Sequence, residues 1–211
     1  MNDLDSVAKP RKERKENADK RRRQLLEAAR RSVVQHGLAR TTLATVAKEA
    51  GLSQGVAVFY FKSKGGLLAE TLRAHYQAYT DTWQAALEKA GTEPRDRLMA
   101  LIDADFSSAV CSPDALSVWF AFWGELKVTP QYAEIAQSFD DVRAEAVQDA
   151  CRRIFTQASP AQIAEIALWI DTLTDGFWQT QHLHAGRVSR REAAASTKDF
   201  VARLESSFSA A

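Results

Sequence analysis

The sequence of 211 residues contains little cysteine and no long hydrophobic run. Its two cysteines, Cys111 and Cys151, form no CxxC pair, so they imply neither a disulfide framework nor a zinc site. The longest apolar run, from Val118 to Trp123, is far shorter than the ~20 residues that a membrane helix needs. The polar, basic N-terminus lacks the apolar stretch of a signal peptide. These absences predict a cytoplasmic protein that makes no use of a membrane.

The sequence also lacks the short motifs of common enzymes. It has no phosphate-binding glycine loop, no nucleophile elbow and no HExxH pattern. His182 and His184 are two residues apart, so on a helix they point to different faces and make a poor metal pair. We therefore expect no catalytic residues, no cofactor and no metal. A helical-bundle enzyme with an appended basic domain stays as an alternative, because a carboxylate pair could serve some reaction.

The net charge of only +1 conceals an uneven distribution. Residues 1–64 carry a net charge of +8, and the remainder carries −7. A basic segment attracts the phosphates of DNA, whereas an acidic segment is repelled by them. The N-terminal part is therefore the only part that we expect to face DNA.

Helical periodicity without sustained alternation predicts an all-α fold of about nine helices. Residues 1–18 are rich in charge and lack apolar periodicity, so we interpret them as a flexible basic arm. Residues 19–65 are predicted to form a DNA-binding domain, and residues 66–211 a ligand-binding and dimerisation domain. The predicted helices are 19–36, 42–50, 54–61, 64–89, 94–110, 113–127, 130–157, 160–185 and 189–208.

The second and third helices, with the turn Gly51-Leu52-Ser53, have the pattern of a helix-turn-helix. This unit places a short helix in the major groove of DNA. Gly51 permits the sharp turn, and Leu52 can fill the space between the helices. An aromatic cluster beside basic residues follows on the third helix, as suits a nucleic-acid contact.

The segment TTLATVAKEAGLSQGVAVFYFKSKGGLLAETLR resembles the DNA-binding domain of the TetR family. The resemblance covers about residues 20–73 and rests on a Tyr-Phe pair, a basic residue, a lysine and an apolar helix start. The matching residues are Tyr60, Phe61, Lys62, Lys64, Leu67 and Leu68. It implies a regulator that binds a palindromic double-stranded operator as a homodimer and responds to a small-molecule inducer.

The resemblance also implies which residues contact DNA. These are Thr41 or Thr42, Tyr60 and Lys64 on phosphates, and Ser53, Gln54, Gly55, Val56 and Phe59 on the groove-facing side of the third helix. Gln54 can hydrogen-bond a base edge, typically of adenine, while Val56 and Phe59 can touch thymine methyl groups. Phe59 departs from the family pattern, where a polar residue is common, so we expect readout to lean on apolar contact and DNA shape. In the alternative interpretation, Val56, Val58 and Phe59 are ordinary core residues. For Val58 the sequence favours neither interpretation over the other.

Two segments stand out in the C-terminal part. The run VWFAFW places Trp119, Phe122 and Trp123 on one helix face. A face of the helix from Pro160 carries Asp171, Asp175 and Trp178. Like charges four residues apart weaken a bare helix slightly, unless they are solvated or a cation lies beside them.

The blocks VWFAFWGELKVTPQYAEI and LWIDTLTDGFW resemble the choline-responsive branch of the family, the BetI-type repressors. Choline is a quaternary ammonium ion, which tryptophan and tyrosine faces hold with a carboxylate nearby. The residues expected to bind it are Trp119, Phe122, Trp123, Tyr132, Asp171, Asp175 and Trp178, and Glu125 is a further available acid. Aromatic residues at helical spacing are more often core, so an unrelated apolar inducer remains an alternative.

The last two helices carry long apolar stripes that exceed what one small domain needs. We expect them to form the interface of a twofold dimer, which presents two recognition helices to a palindrome. A DNA-binding structural protein without a ligand is a further alternative, and ligand-dependent loss of operator binding distinguishes it from a regulator.

Overall fold

The computed structural model describes residues 11–209, and the side chains of residues 15–208. Over this range the chain is all-α, with nine helices and no strand. The helices are α1 (Arg11–Arg40), α2 (Leu43–Glu49), α3 (Gln54–Phe61), α4 (Lys64–Lys89), α5 (Pro94–Asp105), α6 (Pro113–Trp123), α7 (Pro130–Ile154), α8 (Pro160–Leu183) and α9 (Arg190–Ser209). The predicted fold class and helix order are confirmed.

Helix α1 starts earlier than the sequence predicted. It begins at Arg11, so residues 11–18, which we expected to belong to a flexible arm, are helical. Lysine, arginine and glutamate favour helix without any apolar periodicity, which explains why the pattern gave no indication of it. Residues 1–10 of the predicted arm lie outside the described residues. Gly37, with φ of 73°, interrupts the helical geometry where the sequence predicted the end of the helix.

Local capping fixes the starts of several helices. Thr42 caps α2 in a reciprocal box with Thr45, and Ser53 caps α3. Ser159 and Gln162 form the predicted box at α8. By contrast, α5, α6 and α7 end a few residues before the predicted positions. The segment after α5 forms turns, in which Phe106 and Val110 are buried.

The chain divides into two compact units between Thr71 and Leu72, within α4, rather than at the predicted position after residue 65. In the N-terminal unit a small core joins α1, α2, α3 and α4. Its buried members are Leu25, Leu26, Ala28, Ala29, Val46, Ala47, Ala57, Phe61 and Leu67. Leu52 of the turn packs partly buried against this core, as predicted for a residue that fills the helix-turn-helix.

The C-terminal unit is a bundle in which α7 packs against α5 and α8, and α8 packs against α6 and α9. Its core is built from apolar stripes at helical spacing. The fully buried members include Leu98, Leu101, Ile102, Leu116, Trp119, Phe122, Ile166 and Ile170. No helix among those described is both long and apolar enough to cross a membrane.

Candidate functional site

Helix α3 divides its residues between the core and the surface. Ala57 and Phe61 are buried, whereas Gln54, Gly55 and Phe59 are exposed. Phe59 is 68% exposed, although leaving a phenylalanine in water forgoes about 1.5–3 kcal/mol of burial free energy. Its placement therefore agrees with the outward-facing interpretation and not with the core interpretation.

The two valines of α3 lie differently from the expectation. Val56, expected on the groove side, is half-buried and packs against the core of the N-terminal unit. Val58, which the sequence left open, is 40% exposed. The exposed apolar side chains of this helix are therefore Val58 and Phe59. Helical periodicity alone could not identify them, because α3 is too short to show a clear apolar face.

Of the two threonines before α2, only one is accessible. Thr41 is buried, and its hydroxyl donates to the carbonyl of Gly37 at 2.9 Å and lies 3.0 Å from the hydroxyl of Ser32. This corrects the expectation for Thr41, because its hydroxyl is already satisfied inside the protein. Thr42 is half-buried and caps α2, so it is the remaining candidate for a phosphate contact.

Tyr60 and Lys64 tie α1 to the helix-turn-helix. The Tyr60 hydroxyl donates to the carbonyl of Ala18 at 3.1 Å, and the Lys64 ammonium donates to the carbonyl of Ala39 at 2.6 Å. Both side chains are therefore held against α1 in this structure. Lys62 follows α3 with φ of 64°, and its ammonium lies 5.2 Å from the Phe59 ring. Its ammonium also donates to the Phe59 carbonyl at 2.7 Å, so this motif lysine lies beside the exposed Phe59.

The C-terminal unit contains a cavity of about 380 Å³. Helices α4 to α8 all contribute to its walls. The lining residues are Tyr76, Tyr79, Asp105, Trp119, Trp123, Leu126, Asp140, Arg143, Ala144, Asp171, Thr174, Asp175 and Trp178. Five of the seven residues predicted to bind a ligand are therefore brought together: the three tryptophans and both aspartates.

Aromatic rings form one side of the cavity. Trp178 stacks against Trp119, with centroids 5.9 Å apart, and against Trp123 at 6.1 Å. Tyr79 meets Trp119 and Trp178 edge-on at 5.8 and 5.9 Å. Trp119 and Trp178 are buried, while Trp123 is half-buried. The sequence predicted the tryptophans but not Tyr76 and Tyr79, although their i, i+3 spacing on α4 was a visible indication.

Two predicted ligand residues do not reach the cavity. Phe122 and Tyr132 are both buried and pack edge-on against each other at 5.3 Å. Tyr132 lies in the first turn of α7 and Phe122 lies in the last turn of α6, so the two rings fill the core between these helices. This corrects the expectation for both residues, and the core interpretation holds for them. Glu125 is exposed and is not among the lining residues either.

Three carboxylates stand around the cavity where solvent reaches it. Asp140 and Asp175 are exposed and Asp171 is half-buried. Partial desolvation, reinforced by repulsion from neighbouring acids, raises the pKa of Asp175 to about 7 and that of Asp140 to about 6. Desolvation likewise raises the pKa of Asp171 to about 6, although Arg143 acts in the opposite direction. The sequence did not indicate Asp140, because it lies on α7 beyond the end of the block that resembles the BetI-type repressors.

A buried ion pair holds the inner walls of the cavity. Arg143 donates to the carboxylate of Asp105 at 2.8 Å, and the Tyr79 hydroxyl donates to the other carboxylate oxygen at 2.7 Å. The Trp178 indole donates to the main-chain carbonyl of Asp105 at 3.1 Å. A buried ion pair persists only when such additional hydrogen bonds satisfy it. Asp105 thus connects α4, α5, α7 and α8 and fixes the orientation of two aromatic walls.

An apolar groove runs along α8 and α9, the helices predicted to form the dimer interface. It is lined by Trp169, Thr172, Leu173, Gly176, Phe177, Thr180, Phe200 and Leu204. Trp169 in this groove is 40% exposed and meets Phe200 of α9 edge-on, with the ring centroids 6.5 Å apart.

Two family models match the chain. Residues 25–71 match the N-terminal model of the tetR family of bacterial regulatory proteins, and residues 94–205 match the BetI-type transcriptional repressor C-terminal model. A similar protein is the HTH-type transcriptional regulator BetI of Burkholderia lata, 32% identical over 86% of this chain and 92% of that one. The corresponding regulator of Burkholderia thailandensis is 32% identical over 86% and 91%.

Solved structures show the same fold at lower identity. A putative transcriptional regulator from Pseudomonas aeruginosa PAO1 superimposes with a TM-score of 0.81 at 23% identity, over 89% of this chain and 91% of that one. A putative transcriptional regulator from Saccharomonospora viridis, solved in complex with choline, superimposes with a TM-score of 0.77 at 23% identity, over 87% and 96%.

Proposed function

The chain belongs to the TetR family of bacterial regulatory proteins and carries a BetI-type C-terminal domain, and from this we propose that it is a repressor released from a palindromic operator by a small quaternary ammonium cation, with choline as the first candidate. Family membership makes it a DNA-binding transcription regulator and not an enzyme. The identity of the inducer and the direction of regulation are the parts that we propose.

One observation carries the choice of ligand: a single cavity combines three tryptophans with three carboxylates, in addition to Asp105, which is paired with Arg143. A quaternary ammonium ion cannot donate hydrogen bonds, so it is held by aromatic faces and by net negative charge. A desolvated cation gains about 2 kcal/mol or more from an aromatic face within ~6 Å. The choline found in the structural neighbour from Saccharomonospora viridis supports the same choice.

An apolar inducer fits this cavity less well. Asp140, Asp171 and Asp175 would lose hydration to an apolar ligand without gaining a partner, and burying an unpaired charge is costly. A cation instead compensates the charges that it desolvates. The carboxylates are therefore the feature that favours a cationic inducer over the alternative.

On the DNA side, we propose that the exposed face of α3 enters the major groove. Gln54 would read a base edge, with Gly55, Phe59 and the half-buried Val56 contacting the groove. The phosphates on either side of the groove would be bound by Thr42, Tyr60 and Lys64. Ser53 caps the N-terminus of α3 beside them. The net charge of +8 over residues 1–64 supports this assignment.

Helix α4 is the element through which we propose that ligand occupancy reaches DNA. It begins at Lys64, a candidate phosphate contact, and it carries Tyr76 and Tyr79 of the cavity wall. A ligand that binds one arrangement of α4 better than another shifts the population of dimers away from the DNA-competent form.

Titration calorimetry with purified protein tests the ligand assignment. Choline should bind, and the uncharged isostere 3,3-dimethylbutanol should bind far more weakly. Trp123→Ala should weaken choline binding, because Trp123 is the half-buried wall. Phe208→Ala removes a half-buried aromatic ring of α9 that does not line the cavity, and it should not weaken choline binding. Equal binding of the neutral isostere would indicate an ordinary apolar pocket.

DNA binding is then measured by fluorescence anisotropy with DNA from upstream of the protein's own gene. Choline should lower the affinity of the wild-type protein for this DNA but should have little effect on the Trp123→Ala variant at the same concentration. Choline binding without any change in DNA affinity would contradict the proposed inducer role.

A further inference from the structure

The exposed face of α3 suits an apolar group on the edge of a base. We propose, as a step that rests on the proposed binding of α3 in the major groove, that Gly55 and Phe59 form a recess for the C5 methyl group of a pyrimidine. The recess would accept 5-methylcytosine as well as thymine. Methylation of a cytosine in the operator would then raise the affinity of the protein for it.

The outward-facing residues of α3 offer little hydrogen bonding. All eight residues of this helix are described, and the four exposed ones are Gln54, Gly55, Val58 and Phe59. Among these four, Gln54 is the one with polar side-chain atoms. Base edges in the major groove carry donors, acceptors and, at thymine, an apolar methyl group. Most of this face can therefore contact a methyl group but cannot hydrogen-bond through side chains.

Gly55 leaves open space on this face that the fold does not require. Apart from its own helix backbone and its two chain neighbours, a Cβ atom on Gly55 would have one described atom within 4 Å, the Ser53 hydroxyl at 3.8 Å. At Gly66, by contrast, a Cβ would collide with the Phe61 carbonyl oxygen. Glycine within a helix is less favourable than alanine. The missing side chain of Gly55 therefore suits the close approach of another molecule.

The Phe59 ring borders this open space. Residues four apart on a helix are neighbours on its surface, so Phe59 lies one turn beyond Gly55 on the same face. The ring meets that of Tyr60 edge-on, with centroids 5.2 Å apart, and the Lys62 ammonium lies 5.2 Å from the Phe59 centroid. These contacts hold the ring while leaving it 68% exposed. A side chain already held in place loses little conformational freedom when it binds.

The chemistry of the recess selects the methyl group and not the base that carries it. In the major groove thymine presents a C5 methyl group, and a cytosine methylated at C5 presents the same group at the same place. Neither Gly55 nor Phe59 has a polar side-chain atom that could distinguish the two bases. The net charge of +8 over residues 1–64 favours DNA as the occupant of this face. Burying one methyl group corresponds to about fourfold in affinity.

Fluorescence anisotropy with synthetic duplexes of the operator tests the recess, once footprinting upstream of the protein's own gene has located the operator. Replacing one thymine at a time by deoxyuridine removes the C5 methyl group and keeps the hydrogen-bonding edge. For the wild-type protein we expect one position in each half-site to lose affinity about fourfold. With a C·G pair at that position, 5-methylcytosine should bind about fourfold more tightly than cytosine.

Two variants connect this methyl effect to the recess. Phe59→Ala removes the ring, and Gly55→Ala adds a methyl group to a space where the fold accommodates it. Both should bind the thymine and deoxyuridine duplexes about equally at the sensitive position. Thermal unfolding checks the fold, and Gly55→Ala should be at least as stable as the wild-type protein, because alanine favours helix.

Gly65 provides the matched control for Gly55. It is exposed in the first turn of α4, and a Cβ there would likewise lie 3.8 Å from a serine hydroxyl, that of Ser63. Gly65→Ala adds the same methyl group outside α3, so it should keep the wild-type ratio of thymine to deoxyuridine affinity even if its overall affinity changes. Gln54→Ala, which acts on a different base contact, should keep this ratio as well.

The possible failures are distinguishable. If no deoxyuridine substitution weakens the wild-type protein, or if 5-methylcytosine binds no better than cytosine, the inference is overturned while operator binding stands. If Phe59→Ala and Gly55→Ala keep the wild-type ratio, the methyl group is read elsewhere and the recess is again wrong. If the protein does not bind the upstream DNA at all, the proposed operator function fails, and the inference fails with it.

Discussion

At the scale of single residues, the exposed face of α3 predicts a change in base preference. Gln54 is exposed on this face, and its amide can form a bidentate contact with adenine. Gln54→Ala should relax the preference at one base pair and cost about 1–3 kcal/mol on the best sequence. Anisotropy titrations against a panel of operator variants measure this, and uniform weakening across the panel would refute the role.

Lys64 should behave in the opposite way. It lies at the start of α4, where its ammonium donates to the Ala39 carbonyl. In the DNA complex the ammonium can donate to a phosphate instead. Lys64→Ala should weaken binding to all sequences alike and reduce the slope of log affinity against log salt by roughly one unit. Tyr60→Phe should also weaken binding without altering base preference. A changed base preference with an intact salt slope would count against both assignments.

The cavity acids predict a pH-dependent response to choline. The pKa of Asp175 is raised to about 7, with Asp140 and Asp171 at about 6, so protons occupy part of these carboxylates near neutral pH. A bound cation stabilises the ionised forms and lowers these pKa values, so binding expels protons. Choline affinity should therefore be highest above pH 8 and fall between pH 7 and pH 5, by up to about tenfold per pH unit for each proton displaced.

Calorimetry in two buffers of different ionisation enthalpy counts the protons released at pH 6.5. Asp175→Asn should release fewer protons than the wild-type protein, and Asp114→Asn, at an exposed aspartate of α6 that does not line the cavity, should release the same number. A choline affinity that does not vary over this pH range would contradict the ionisation linkage.

At the scale of elements, the extended start of α1 alters what the basic N-terminal segment should do. Residues 1–10 contain one lysine and two aspartates, whereas residues 11–18 contain four basic and two acidic residues. Deleting residues 1–10 should leave DNA affinity nearly unchanged. Deleting residues 1–18 should lower it, most strongly at low salt, because phosphate contacts are screened as salt rises.

The longer deletion also removes the Ala18 carbonyl that the Tyr60 hydroxyl contacts. A variant in which glutamine replaces the four basic residues of 11–18 keeps the full length of α1 but removes its positive charge. It therefore distinguishes the effect of charge from the effect of shortening the helix. Equal loss in both deletions, or none in either at low salt, would argue against a contribution from residues 11–18.

At the scale of the whole molecule, operator binding is predicted to require a dimer formed through α8 and α9. Phe177 lies in the apolar groove of these helices. Phe177→Glu should convert the protein to a monomer in light scattering and abolish tight binding to a palindrome, because each copy supplies only one recognition helix. Val128→Glu, at a residue 71% exposed after α6, is the control and should stay dimeric. A Phe177→Glu protein that remains dimeric would place the interface elsewhere.

Local sequence alone determined the helix-turn-helix and most helix starts. Gly51, the caps Thr42 and Ser53, and the Ser159–Gln162 box act within a few residues, so their physical effect is written in short stretches of chain. The same holds for the tryptophans of α6 and the aspartates of α8, whose spacing put them on common faces.

Only the tertiary structure decided which of these faces meet. Asp105 and Arg143 are far apart along the chain, and Asp140, Tyr76 and Tyr79 reach the cavity from segments of the chain that lie outside the ligand motifs. Thr41, Phe122 and Tyr132 carry suitable side chains, but packing and hydrogen bonds inside the protein occupy them. Contacts between distant segments depend on how whole helices pack, and a side chain's chemical type does not reveal whether the fold buries it or presents it to a ligand.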